Sequence, residues 1–286
     1  VYYIKQLKGG DRMLTTFLIL VYLGSVSFGI YFFDYKTDSL INSPMTIILC
    51  IIIGFFVAIL IFILFMEVTY FFIAKRKPTT SKFKHYIGKQ IVSVPMHILN
   101  IRTTVYGEEH LPKDPKFLIY ANHTSELDIS VLMCHLPKYP VAFLAKQVVH
   151  KYLSVGKWAY SVGCVMLNRE NNRQGSTAVS EVAENVKNGS TMAIFPEGKV
   201  NRKIGTLQKF RSGSFKIALA SGVPIIPITL VKERRYYKKI WPMPKRLDIV
   251  IHPPFLFENY KDLSSRQISH QVRDVIQGSL QPLEDT

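Results

Sequence analysis

Two stretches of this chain run uncharged for longer than a globular core usually requires. Met13 to Phe33 is 21 residues and Met45 to Met66 is 22, both rich in Ile, Leu and Phe. About 20 apolar residues in a helix cross the hydrocarbon core of a bilayer, where only helices and closed barrels satisfy their own backbone. The two spans, joined by a short loop, therefore predict a transmembrane helical hairpin. A cleaved signal peptide fits poorly, because the first span is too long and no small-x-small site follows it. Glu67 interrupts a further apolar run, Val68 to Ala74, and is expected at the interface rather than mid-bilayer. Lys5, Lys8 and Arg12 precede the first span, and Lys75, Arg76 and Lys77 follow the second. The loop between them sets Lys36 against Asp34 and Asp38. The positive-inside rule then places both termini, and everything behind the hairpin, in the cytoplasm of an integral cell-membrane protein.

Charge separates the chain in the same place. Residues 1–74 hold Lys5, Lys8, Arg12 and Lys36 against Asp11, Asp34, Asp38 and Glu67, which cancel, so the remainder carries the whole net charge of +16. A basic domain of this kind seeks phosphates: anionic headgroups, phosphorylated substrates or nucleic acid. Cys50, Cys134 and Cys164 are scattered, giving neither a disulfide framework nor a zinc spacing. The chain has no P-loop and no Gly-x-Gly-x-x-Gly, so nucleotide hydrolysis and dinucleotide binding lack support. It also has no Gly-x-Ser-x-Gly elbow, which argues against a serine hydrolase. Residues 81–100 mix Phe83, Ile87, Ile91 and Val94 with Lys82, Lys84, His85 and Lys89. Such a segment either lies in the headgroup layer or packs on the following domain, and both remain open. The run Arg234 to Trp241 mixes cations with aromatics and suits a headgroup layer or a solvated loop equally.

From residue 105 onward, apolar runs of strand length alternate with helical periodicity. Strands are expected at 117–121, 141–145, 163–167, 191–195, 223–230 and 247–252, with Pro224 and Pro227 pointing to an edge or bulged position for the fifth. Helices are expected over 126–136, 176–187, 212–222 and 264–280. The pattern is that of an α/β fold with a mostly parallel sheet flanked by helices. The organisation reads as 1–77 transmembrane hairpin, 78–104 amphipathic interfacial connector and 105–286 cytoplasmic α/β domain.

Polar residues gather at the ends of these strands, where open α/β sheets place their sites. The first strand runs into Asn122-His123-Thr124-Ser125-Glu126-Leu127-Asp128, with Thr124 or Ser125 as the expected cap of the next helix. A carboxylate five residues from an imidazole can fix its tautomer and stabilise its protonated form, as a general base requires. Lys146, Asn168-Arg169 and Glu197-Gly198-Lys199 end three other strands. A cleft built from them holds a base, an acid and several cations.

These blocks resemble those of the glycerolipid acyltransferases. Asn122 to Asp128 is similar to the family's His-x4-Asp block, Gly163 to Arg169 to its second block, and Phe195 to Gly198 to its third. Val223-Pro224-Ile225-Ile226-Pro227-Ile228 is similar to the fourth, and Phe210 to Phe215 to the stretch that precedes it. The resemblance covers roughly Val105 to Pro254. It implies a glycerol-3-phosphate acyltransferase-like fold and transfer of an acyl chain to the sn-2 hydroxyl of 1-acylglycerol 3-phosphate, making phosphatidic acid. The implied catalytic set is His123, Asp128, Glu197 and Gly198, with His123 as base and Glu197 positioning the acceptor or the loop. The implied phosphate-binding set is Lys146, Arg169, Lys199 and Arg202. One departure stands out: Thr-Arg usually follows Glu-Gly in the third block, and this chain has Lys199-Val200, leaving Lys199 and Arg202 as candidates for that contact. No bound cofactor and no metal are expected. The co-substrate is an acyl-CoA or acyl carrier protein thioester, and the partners are lysophosphatidic acid, anionic headgroups and the donor, without nucleic acid. Three alternatives stay open: another acceptor such as glycerol 3-phosphate, a thioester hydrolase, and a non-catalytic basic membrane-binding module.

Overall fold

The computed structural model describes residues 12–37, 44–147, 153–167 and 172–280. Helix α1 (Met13–Thr37) and helix α2 (Pro44–Thr69), the latter extended by a π-turn over Tyr70–Ala74, pack side by side. Both are long and apolar enough to cross a membrane. Their outer faces leave Leu20, Phe28, Phe56 and Leu60 more than 60% exposed, which in water is a large unfavourable surface and in lipid is none. They touch closely at Gly54, where an added Cβ would stand 2.7 Å from Val26 Cγ2. Small residues at such contacts let helix backbones approach.

Helix α3 (Lys82–Ile98) starts at Ser81, whose hydroxyl accepts the N–H of Lys84. Ile87, Ile91, Val94 and Met96 are buried, and the helix packs against α1 and against α4 (Asp128–His135). Its Lys84 is buried too, with Nζ donating to the carbonyl of Ser161 at 2.9 Å. Burial lowers the pKa of that ammonium. The hairpin is fastened to this layer at its other end as well. Glu67 accepts from Ser154 Oγ at 2.6 Å and from Lys157 Nζ at 2.9 Å, and Trp158 Nε1 donates to Met66 O at 2.9 Å. All three partners belong to helix α5 (Leu153–Ser161).

Among the described residues the sheet has eight strands: β1 (Ile101–Arg102), β2 (Val105–Tyr106), β3 (Leu118–Ala121), β4 (Val141–Lys146), β5 (Val165–Leu167), β6 (Thr191–Ile194), β7 (Ile225–Lys232) and β8 (Lys245–Ile251). The order is β1-β8-β7-β3-β6-β4-β5, with β2 also on β8, and every pairing is parallel except β7 with β8. This is the α/β fold with a mostly parallel sheet that the alternation of elements predicts. β3 lies in the middle with all four residues buried, and its C-terminal end therefore opens at the centre of one sheet edge. Helices α6 (Asn172–Lys187), α7 (Lys216–Ser221) and α8 (Ser265–Gly278) complete the layers. α8 opens with a capping box, in which Ser264 Oγ accepts from Gln267 N and Gln267 Oε1 accepts from Ser264 N.

β7 is not an edge strand. It pairs with β3 on one side and β8 on the other, and all eight residues are buried. In a strand, a residue's N–H and C=O point to the same side. Pro227 O accepts from His252 N at 3.0 Å, on the β8 side, just outside the last β7–β8 register pair, Ile228 with Ile251. The donor that proline lacks thus falls beyond the end of that ladder, and the pairing with β3 loses nothing.

Candidate active site

The site begins where β3 ends. Asn122 Nδ2 donates to Leu230 O at 3.0 Å and its Oδ1 accepts Leu230 N at 2.7 Å, so one side chain extends the β3–β7 ladder by a peptide-like unit. The backbone is freed to turn away at His123. His123 N donates to Glu197 Oε1 at 2.9 Å, and His123 O accepts Asn201 N at 2.7 Å. The imidazole lies flat against Phe195, with centroids 4.2 Å apart and planes 15° from parallel.

His123 Nδ1 stands 2.9 Å from Asp128 Oδ2. An ionised carboxylate only accepts, so Nδ1 carries the proton and Nε2 keeps a lone pair. The His123 side chain is 17% exposed and that of Asp128 0%, which sets the base at an opening and its orienter behind it. Asp128 also takes the N–H groups of Thr124 and Ser125 on Oδ2 and both their hydroxyls on Oδ1. Thr124 and Ser125 do not cap α4, which starts only at Asp128 with Leu127 at its N-cap. The expected capping bonds run in reverse: the carboxylate at the helix start collects the hydroxyls, where the helix dipole favours negative charge.

Glu197 is buried and holds two segments at once, with Oε1 on His123 N and Oε2 on Gln208 N at 3.0 Å. Burial raises its pKa, opposed by those two N–H donors and by His123. It ties the loops that carry His123 and Gln208 together. Gly198 has φ of +77°, a conformation that needs glycine. Its own N–H donates to Phe195 O at 3.0 Å, closing the turn. Among the described residues, the next two N–H groups, of Lys199 and Val200, donate to nothing.

The cations are spread along the edge. Lys146 ends β4, exposed, in register with Leu167, which ends β5. Arg169, two residues further on, lies outside the described residues. Lys199 is exposed beside Gly198. Arg202 forms an ion pair with Glu126 at 2.9 Å between side chains 69% and 70% exposed, a geometry worth little in water.

Sequence reasoning missed Lys232, the last residue of β7. Its Nζ donates to Thr124 O at 2.7 Å and to Tyr237 Oη, while Tyr237 Oη also donates to Thr124 O at 2.7 Å. The ammonium lies 4.5 and 4.4 Å from the ring centroids of Tyr236 and Tyr237. Burial pulls its pKa down to about 8, against the opposing pull of Asp128 and Glu126. Expecting that strand to stop at Leu230 hid it. Beside Phe195 and Gly198 opens a cavity of about 800 Å³, walled by Leu144, Val179, Ile194 and Ile217.

Residues 102–231 match the family profile described as Acyltransferase. They are an acyltransferase-family domain. The chain is 25% identical over 257 residues to a probable 1-acyl-sn-glycerol-3-phosphate acyltransferase of Mycoplasma pneumoniae, covering 83% of this chain and 92% of that one. It is 36% identical over 152 residues to a chloroplastic 1-acyl-sn-glycerol-3-phosphate acyltransferase of Brassica napus, covering 52% of this chain and 43% of that one. The crystal structure of the 1-acyl-sn-glycerophosphate (LPA) acyltransferase PlsC from Thermotoga maritima superposes with a TM-score of 0.54 at 20% identity, covering 96% of both chains. The fold of the acyltransferase domain and the helices before it is thus shared with that structure.

Proposed function

We propose that this acyltransferase transfers an acyl chain from a thioester to the sn-2 hydroxyl of 1-acylglycerol 3-phosphate, making phosphatidic acid. The observation that carries this is the 2.9 Å pair of His123 Nδ1 and Asp128 Oδ2, which leaves Nε2 as a base at the opening of the site. The acyltransferases of Mycoplasma and Brassica named above support the acceptor. Nε2 takes the hydroxyl proton as the oxygen attacks the thioester carbon. The C–S bond then breaks, and the imidazolium returns the proton to the departing thiolate. A positioned base of this kind contributes roughly 100- to 10,000-fold. The N–H groups of Lys199 and Val200 are the donors for the tetrahedral oxyanion. Lys146, Arg169, Lys199 and Arg202 hold the acceptor's phosphate, and Glu197 keeps the loop that carries Lys199 and Arg202 on the base. The cavity of about 800 Å³ beside Phe195 receives an acyl chain.

The hairpin crosses the membrane with both ends cytoplasmic, residues 78–104 join it to the acyltransferase domain, and catalysis occurs at the inner leaflet. Purified protein given a panel of lysolipids with acyl-CoA or acyl carrier protein, and read by mass spectrometry, tests the reaction. Phosphatidic acid forms from 1-acylglycerol 3-phosphate and its yield falls when the acceptor is withheld. Free fatty acid released equally with and without acceptor identifies a hydrolase instead.

A further inference from the structure

Five large apolar side chains stand exposed where two distant segments meet. Ile98 ends α3 and Leu99 follows it. Ile240, Trp241 and Met243 belong to the loop between β7 and β8. The loop is fastened to the end of the helix. Trp241 Nε1 donates to Ile98 O at 2.7 Å, Asn100 Nδ2 donates to Pro242 O at 2.9 Å, and Lys245 N donates to Asn100 O at 3.0 Å. The indole N–H is therefore satisfied by protein, while its ring remains 65% exposed.

Helix α3 also holds the beginning of α1, at its end through His97 and at its middle through Gln90. Thr15 Oγ1 lies 2.8 Å from His97 Nδ1, and Leu14 N donates to Gln90 Oε1 at 3.3 Å. Thr15 is the third residue of the first apolar span. Ile98, the next residue after His97, thus sits at the level where that span begins. Exposed cations flank the cluster: Arg234, Arg235 and Lys238 on the same loop. Apolar rings and aliphatic chains rimmed by Arg and Lys suit the headgroup layer of an anionic leaflet, where tryptophan concentrates.

We propose that Ile98, Leu99, Ile240, Trp241 and Met243 form a second membrane contact, a lip that lies in the headgroup layer of an anionic bilayer beside the hairpin. It rests on the hairpin being inserted, and it holds whatever the domain's acceptor is. Lipid, rather than a partner protein, follows from continuity with the lipid-facing surface of α1 and from the basic rim. The same loop carries Tyr237, whose hydroxyl bonds to Thr124 O beside the site.

Trp158 and Trp241 are the chain's two tryptophans, which makes the test direct. The full chain is reconstituted in phosphatidylcholine/phosphatidylglycerol vesicles whose acyl chains carry bromine near the headgroup. Emission of Trp241 is taken as the difference between wild type and Trp241→Phe. The expected result is strong quenching by bromine and little by aqueous acrylamide. The variant Ile240→Asp with Met243→Asp is expected to reverse that order while staying with the vesicles through an alkaline wash, which reads the hairpin separately. Acrylamide quenching without bromine quenching in the wild type overturns the proposal, and so does shielding from both, which marks a protein contact. Release of the wild type by the wash removes the hairpin and the lip together.

Discussion

Asp128 makes five hydrogen bonds, and one of them goes to the imidazole. Its Oδ2 meets only N–H groups and its Oδ1 only hydroxyls. Asparagine can keep this arrangement, because its oxygen replaces Oδ2 and its NH2 can donate to hydroxyls that turn to accept. Asp128→Asn is therefore expected to keep its melting temperature close to wild type in detergent, yet to lose most turnover with the charge that stabilises the imidazolium. His123→Ala is expected to lower transfer by roughly 100- to 10,000-fold. The double variant should match His123→Ala in steady-state assays, since the pair acts as a unit. Equal activity of Asp128→Asn and wild type would remove the electrostatic role. Lys232 gives a pH signature of its own. Its folded pKa of about 8 lies below the ordinary lysine value, so between about 8 and about 10.4 the unfolded chain binds a proton that the folded one has released. Stability of the wild type relative to Lys232→Met should be flat below pH 8 and rise across that window, by on the order of 3 kcal/mol. Denaturant midpoints of both proteins at pH 7 and pH 10 check it, and a constant difference would mean the amine stays protonated in the fold across that range.

Among the elements, the hairpin helices touch closely at Gly54. A Cβ there meets Val26 Cγ2 at 2.7 Å and Tyr22 O at 3.3 Å, the second a backbone atom that cannot turn aside. Gly54→Ile is expected to cost about 1–3 kcal/mol by overpacking, seen as a lower unfolding temperature in detergent, whereas Gly24→Ala, with open space around it, should change little. The elements themselves were largely legible. Period 3.6 in Val179, Val182, Ala183 and Val186 marks α6, and continuous apolar runs mark β3 and β6. So was the His123–Asp128 pair, because five residues across a strand-to-helix junction bring the groups together. Tertiary hydrogen bonding hid the rest. Pro227 looks like an edge residue until the end of the β8 ladder is known, and Thr124 and Ser125 look like caps until Asp128 claims them. Lys232 reaches Thr124 across 108 positions of sequence, a distance no local pattern reports.

At the scale of the whole molecule, the hairpin and the acyltransferase domain share a core. Leu14, Leu18, Met66 and Ala74 are buried with the residues of α3 and the sheet. A chain cut to residues 75–286 would expose the faces of α3 and α5 that these residues cover, and would leave Trp158 Nε1 without Met66 O. It is expected to elute as aggregate in size-exclusion chromatography without detergent, and a monodisperse monomer would show that the domain closes on its own. The attachments at Thr15–His97 and at Glu67 with Ser154 and Lys157 grip the domain at two separated points. Two grips prevent it from swivelling on a single tether. With the hairpin inserted as proposed, the edge that carries His123 is held at one depth, and an acceptor anchored in the leaflet meets it by lateral diffusion in two dimensions. Velocity then follows the mole fraction of acceptor among the lipids, and adding inert phospholipid at constant total acceptor slows the enzyme by surface dilution.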